Sequence, residues 1–123
     1  PDRQLLAPEI TTLVRRSLQD VVEGGTAKSL RGTFTEAVGG KTGTGDQRFE
    51  TYGPGGRLLG SRRVNRSATF VFFVGERMFG TITAYVHEPY AARYSFTSAL
   101  AVQFLKSVAP VVHAMAGSGG CRN

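Results

Sequence analysis

The run ATFVFFVG at residues 68–75 constrains the fold of this chain more than any other stretch. Its residues are β-branched and aromatic without polar alternation, which is typical of a central β-strand covered on both faces. A polar break at residues 76–78 separates it from a second strand-like segment, FGTITAYV at residues 79–86. Two such segments joined by so short a break predict a β-hairpin.

Helices are predicted on either side of this hairpin. Residues 8–23 place apolar side chains at three- and four-residue spacings, with a proline at the first helical position and a glycine pair as the stop. A second apolar periodicity predicts a C-terminal helix that begins at Ser95, with Ser95 as its cap, and that Pro110 bends or shortens.

The strands and helices together predict the fold class. Residues 34–38 lead into a glycine-rich stretch, and residues 45–66 are polar and rich in Gly and Arg, which favours a strand extension followed by a long turn. The element order predicts an α+β fold: a three-stranded antiparallel meander flanked by N- and C-terminal helices, with a helix layer on each face of the sheet. Residues 1–123 are interpreted as a single partial domain with a disordered tail at residues 117–123.

The chain is basic, with 15 Lys and Arg against nine Asp and Glu, a net charge of +6 and an isoelectric point near 10.1. Such a balance raises the question of a nucleic-acid partner. The tight basic group Arg62, Arg63 and Arg66 comes without zinc-finger spacing, an RNA-binding aromatic signature or a basic helix. We therefore predict a solvated basic loop there and no nucleic-acid partner. A cell envelope with anionic polymers suits the charge equally well.

Metal, disulfide and membrane chemistry find little support in the sequence. The single cysteine, Cys121, has no partner for an internal disulfide, and His87 and His113 are too far apart in sequence to suggest a metal site. No run approaches the roughly 18 apolar residues that a membrane helix requires. Neither a metal nor a cofactor is predicted.

Residues 40–44, Gly-Lys-Thr-Gly-Thr, have the composition of a binding site. A lysine among glycines and hydroxyl residues suits a nucleotide phosphate, a carboxylate or a flexible surface turn. The phosphate loop requires a glycine at position 35, where Thr35 stands, and the dinucleotide fingerprint lacks its third glycine after residue 45. A phosphate site is therefore disfavoured, while the carboxylate site and the turn remain open.

As an edge strand lining a cleft, the same stretch would bind a carboxylate. Lys41 supplies a cation, Thr42 and Thr44 supply hydroxyl groups, and Gly43 removes a side chain where a substrate backbone approaches. The exposed edge would pair with an extended ligand through main-chain hydrogen bonds, and the backbone N–H near Thr44 would stabilise an oxyanion. These parts make half of an acyl-transfer site, since a nucleophile is missing.

The stretch Lys-Thr-Gly-Thr at residues 41–44 resembles the third active-site motif of penicillin-binding proteins and serine β-lactamases. Its context is similar to the end of the transpeptidase domain in peptidoglycan-synthesising members: a helix ending VVEGGTA at residues 21–27, then AVGGKTGTG, then hydrophobic strands and a closing amphipathic helix. The resemblance covers residues 5–113.

The resemblance implies a role for each residue of the motif. Lys41 orients the substrate and helps to polarise the serine of the second motif. Thr42 and Thr44 hold the carboxylate of a D-alanyl stem peptide or a penicillin, and Gly43 allows the close approach. The N–H of Thr44 joins the oxyanion hole.

The first two motifs of that family are absent from this sequence. No serine is followed three residues later by lysine, and neither Asn65 nor Asn123 stands two residues after a serine or tyrosine. The resemblance therefore implies the C-terminal part of a transpeptidase domain, inactive as an isolated chain because it has no nucleophile. The alternative is a non-catalytic module that binds peptidoglycan peptides or a protein partner.

The resemblance also implies partners and a location. In the family fold these strands form one side of a five-stranded sheet, and the strand at residues 79–86 pairs with an N-terminal strand that is absent here. Such an edge invites a partner chain that completes the sheet, or self-association along that strand. Peptidoglycan stem peptides and β-lactams are the ligands implied for the complete domain. The implied location is the bacterial cell envelope, on the periplasmic or extracytoplasmic face, with the parent protein anchored through a segment outside this chain.

Overall fold

The computed structural model describes residues 4–117, which form two long helices and three strands. The elements are α1 (Pro8–Glu23), a short 3-10 helix (Lys28–Leu30), β1 (Val38–Tyr52), a 3-10 turn (Pro54–Gly56), β2 (Leu58–Val74), β3 (Met78–His87) and α2 (Ser98–Gly117). The strands make one antiparallel sheet in the order β1-β2-β3. The predicted α+β fold, a three-stranded antiparallel meander with flanking helices, is confirmed. The hairpin predicted over residues 68–86 is confirmed as well.

One face of the sheet forms the core with α2. Phe70, Phe72 and Val74 of β2 are buried. Val71 and Phe73, which alternate with them, are exposed and half-buried. The three buried residues belong to one cluster with Val22, Leu30 and four apolar residues of α2, namely Ala101, Val102, Leu105 and Val112. Burying a side chain of this size contributes about 1.5–3 kcal/mol, so this face supplies most of the apolar stabilisation.

The opposite face of the sheet is covered by α1 only in part. A Cβ added at Gly39 would lie 2.9 Å from the backbone nitrogen of Gln19 and 2.6 Å from the Phe73 ring, so α1 lies directly over this position. The guanidinium of Arg15 lies 4.3 Å from the centroid of the Phe73 ring. Val71, on the same face, is 51% exposed. The expected helix layer on this face is therefore confined to one end, because α1 packs mainly on β1.

Residues 45–66 extend β1 and β2, and residues 48–63 of this extension are two-stranded. The predicted strand extension is confirmed, and the predicted long turn is wrong. The β1–β2 register continues to the end of β1, and the chain reverses within residues 53–57, where two glycines have φ near 75°. Polar cross-strand contacts, such as the 2.8 Å hydrogen bond from Arg48 Nε to Ser61 Oγ, join the two strands. Most of residues 48–62 are exposed on both faces, so no apolar alternation marked where each strand ends.

α2 begins at Ser98, and the prediction that Ser95 caps it is wrong. Arg66 Nε donates a hydrogen bond to the carbonyl of Phe96, which holds the preceding segment outside the helix. The helix continues through Pro110, which does not shorten it. The predicted tail lies outside the described residues except for its first, Gly117, and Cys121 lies outside them too.

α2 is apolar on its outer side as well as its inner side. Leu100, Phe104 and Val111 are about half exposed or more. Residues 98–115 have a mean hydropathy of 1.2 and are long and apolar enough, by length and composition alone, to cross a membrane. A core helix of a globular domain meets the same criterion, so this finding assigns no location.

Candidate functional site

Residues 40–44 lie within β1, whose outer edge has no strand partner among residues 4–117. The stretch is therefore a strand and not a surface turn, and it continues as a strand on both sides, whereas a phosphate loop leads into a helix. Side chains alternate along a strand. Lys41 and Gly43 consequently face the side of the sheet that carries Val71, while Thr42 and Thr44 face the side of α2.

Glycine is required at position 40 by close packing. A Cβ at Gly40 would lie 2.4 Å from the carbonyl oxygen of Val71 and 2.7 Å from the ring of Phe70. No side chain fits there without a shift of the β2 backbone. Gly40 thus lets β1 pack tightly on the central strand, which aligns the residues that follow it.

Space is open above Gly43, on the same face as Lys41. A Cβ added at Gly43 would meet no atom within 4 Å. Lys41 is exposed, and its Nζ donates a 2.7 Å hydrogen bond to the carbonyl oxygen of Thr42. This side therefore presents a cation beside an unobstructed strand backbone, the arrangement that an extended anionic ligand requires.

Thr42 has its hydroxyl turned into the structure. The Thr42 side chain is 8% exposed, and its Oγ1 lies 2.6 Å from Oγ1 of Thr26. This hydrogen bond connects the strand to the GGTA segment that follows α1. A buried hydroxyl without a partner is costly, so Thr26 holds Thr42 in this orientation.

Thr44 contacts the beginning of α2. Its Oγ1 accepts a 2.7 Å hydrogen bond from the backbone N–H of Ser98. A hydroxyl that accepts one hydrogen bond still has its own proton to donate. Thr44 is exposed and therefore remains able to donate to a carboxylate, whereas Thr42 is the least accessible residue of the motif.

Three arginines converge on Asp46 just beyond the motif. Its Oδ2 lies 2.9 Å from Arg63 Nε, 3.7 Å from Arg48 Nη1 and 3.9 Å from Arg66 Nη1. The prediction that the Arg62, Arg63 and Arg66 group forms a solvated loop is wrong, since all three lie on β2. The cluster of Asp46 with Arg48, Arg63 and Arg66 has one carboxylate and three guanidinium groups. It therefore leaves a local excess of positive charge beside the motif.

Sequence reasoning did not identify Thr26 and Ser98 as partners of the motif. Thr26 had a weak signal, because it belongs to the GTA segment that accompanies the motif in the resembled family. Ser98 had none, since its backbone N–H carries no side-chain signature and lies far from Thr44 in sequence.

The comparisons with known proteins add no relative. No family model and no curated protein sequence matches this chain.

Outside this strand, Glu36 and His113 form a second polar contact. His113 Nδ1 lies 3.2 Å from Glu36 Oε2. The pKa of Glu36 is lowered by its backbone hydrogen bond and the hydroxyl of Thr35, with a further contribution from His113. Within residues 4–117 no group of histidine, cysteine and acidic side chains could hold a metal ion.

Proposed function

We propose that this chain is part of a peptidoglycan D,D-transpeptidase (penicillin-binding) domain, in which β1 is the wall that binds the carboxylate of a stem peptide or β-lactam. The observation that carries the proposal is the 2.6 Å contact between Thr26 and Thr42. It joins the GTA and GKTGT segments, which are the two stretches on which the resemblance rests. A direct contact between these two segments is expected if both contribute to one site.

The chemistry proposed for the wall is electrostatic. Lys41, on the open face that it shares with Gly43, pairs with the ligand carboxylate, and the open backbone at Gly43 admits an extended peptide. The N–H of Thr44 donates one of the two hydrogen bonds that an oxyanion hole supplies. An activated serine, contributed by the rest of the domain, attacks the carbonyl carbon of the D-alanyl-D-alanine amide. The C–N bond breaks, the serine proton passes to the amine of the terminal D-alanine, which leaves, and the acyl-enzyme forms.

A partner segment that completes the sheet belongs to this proposal. β3 has no strand on its outer edge within the described residues. Phe79 and Tyr85 on its exposed face are 83% and 59% exposed, and the α1 residues Leu13 and Ile10 are 62% and 48% exposed. Apolar surface of this extent on a single chain is typical of an interface, which supports docking of the missing part of the domain or of a second copy.

The first experiment tests covalent chemistry. We expect no labelling of the isolated chain by a fluorescent penicillin, because no serine of this chain stands in a Ser-x-x-Lys motif. We expect labelling when the chain is expressed within its complete reading frame or with its partner chain. Labelling of any residue of the isolated chain would contradict the proposal. Absence of labelling in the complete protein would select the alternative, a non-catalytic module that binds peptidoglycan peptides or a protein.

The second experiment tests the wall itself. Amide NMR signals of residues 41–44 should shift and saturate on titration with N-acetyl-D-alanyl-D-alanine. The variant Lys41→Ala should lose most of this response, while Lys106→Ala, which removes an exposed lysine from α2, should retain it. Equal responses from both variants would show that the ligand binds by general charge attraction, and the proposed site would be abandoned.

A further inference from the structure

The long β1–β2 hairpin projects beyond the sheet. β3 ends at His87, which pairs with Asn65. Beyond this point, residues 48–52 of β1 and 58–63 of β2 pair only with each other. We call residues 48–63 the ribbon. Five residues of extended strand at 3.3 Å each make it roughly 17 Å long. Most of it is exposed on both faces, so the ribbon buries little in this chain.

The end of the ribbon is apolar. Leu58 is 51% exposed, Leu59 60% and Tyr52 57%, and they surround the turn at residues 53–57. Phe49, farther back, is 54% exposed. Two aliphatic residues and a tyrosine gathered at a projecting turn are unlike singly scattered surface hydrophobics, and such a patch indicates an interaction site.

The charge of the ribbon is positive, with Arg57 in the turn and Arg48, Arg62 and Arg63 at the base. Residues 48–63 contain four arginines and one glutamate, a formal charge of +3. The glutamate, Glu50, accepts a hydrogen bond from the hydroxyl of Tyr52. Arg62 stacks 4.9 Å from the ring centroid of Phe49 and pairs with Glu88 at 2.9 Å. Arg57 lies in the turn beside the leucines and is exposed.

We propose that the ribbon docks on an anionic lipid surface. Leu58, Leu59 and Tyr52 enter the boundary between headgroups and acyl chains, and Arg57 contacts the lipid phosphates. The end of the ribbon combines exposed aliphatic and aromatic side chains with an arginine, the combination by which a protein segment binds the interface of an anionic bilayer. Tyrosine is a residue that membrane interfaces favour.

Lipid fits this surface better than nucleic acid does. A β-ribbon that reads the major groove presents polar side chains to base edges and phosphates, whereas the end of this ribbon presents two leucines and a tyrosine. The net charge of +6 of the whole chain adds long-range attraction to an anionic membrane. No residue of the ribbon belongs to the carboxylate wall, so the docking does not depend on the proposed transpeptidase role.

Vesicle flotation tests the docking. The chain should float with vesicles that contain phosphatidylglycerol and should remain below vesicles of phosphatidylcholine alone. The double variant Leu58→Ser, Leu59→Ser should lower partitioning by about tenfold. The variant Arg57→Ser should lower it by about fivefold, as expected for one cation near an anionic surface. High salt should weaken binding in the same direction.

The matched control is the double variant Leu5→Ser, Leu6→Ser, which removes two adjacent exposed leucines that lie before α1. It should leave partitioning unchanged, and circular dichroism should show that all variants are folded. Three outcomes would overturn the proposal: no flotation of the unaltered chain, an equal loss with the Leu5, Leu6 double variant, or binding to a DNA duplex that the leucine variant retains and the arginine variant loses. The last would identify the ribbon as a nucleic-acid contact instead.

Discussion

The hydrogen bond between Thr26 and Thr42 allows a test in which the two partners behave differently. Thr42 is 8% exposed, whereas Thr26 is exposed. Replacing Thr26 by valine leaves the Thr42 hydroxyl buried without a partner, which costs about 1–3 kcal/mol. Replacing Thr42 by valine leaves the Thr26 hydroxyl accessible to water and adds apolar surface to the core, so the expected cost is only about 0–1 kcal/mol.

The double variant should be about as stable as Thr42→Val alone, because no buried hydroxyl then lacks a partner. The cycle therefore predicts a coupling free energy of about 1–3 kcal/mol between the two sites, equal to the cost of Thr26→Val alone. Urea unfolding followed by far-ultraviolet circular dichroism measures all four proteins, and an unchanged denaturant slope would show that only stability has changed.

Thr69 and Thr83 provide the matched control. Their hydroxyl oxygens lie 3.1 Å apart across β2 and β3, but the pair is exposed, so water replaces either partner. Their valine cycle should give a coupling below about 0.5 kcal/mol. If the free energies for Thr26→Val and Thr42→Val add within this error, the contact does not hold the two segments together. The observation that carries the proposed function would then be lost.

Three further predictions concern packing, pH and association. Gly40→Ala should destabilise the fold by about 1–3 kcal/mol in thermal melts, because its Cβ would lie 2.4 Å from a β2 carbonyl, whereas Gly43→Ala, with open space, should change stability by less than about 1 kcal/mol. The Glu36 carboxyl should titrate below 4.5 in NMR, and His113→Gln should raise its pKa. The stabilising contribution of the ionised Glu36 carboxylate is present above pH 4.5 and is lost as the pH falls through its folded-state pKa. An unchanged Glu36 pKa in His113→Gln would contradict the contact. Sedimentation should show self-association, which we expect along the outer edge of β3. A clean monomer at high concentration would contradict the prediction that this edge pairs with a second copy.

Local patterns were sufficient where an element depends on its own residues. The bounds of α1 follow from a proline at its start, apolar spacing along one face and a glycine pair at its end. The β2–β3 hairpin follows from two apolar segments and a short break. In the hairpin the free energy comes from burying a face that the sequence itself marks. In α1 the proline and the glycine pair mark the bounds, although Val22 is the only residue of the helix that is buried.

Long-range polar contacts account for the errors. The ribbon is held by cross-strand bonds between polar side chains, such as Arg48 with Ser61, and these leave no hydrophobic period. The beginning of α2 is displaced because Arg66 binds the carbonyl of Phe96, a residue remote in sequence. Neither interaction has a local signature, since each needs the sheet to be formed before its partners meet.

The sequence by itself determined which chemical groups the motif at residues 41–44 contains, and Thr35 disfavoured a phosphate loop. The roles of Lys41, Thr42, Gly43 and Thr44 in binding a carboxylate stay predictions. Only the tertiary structure decided how accessible each group is. Strand alternation turns Lys41 to an open face and the threonines toward α2, and the packing of distant segments determines which hydroxyl groups are already engaged.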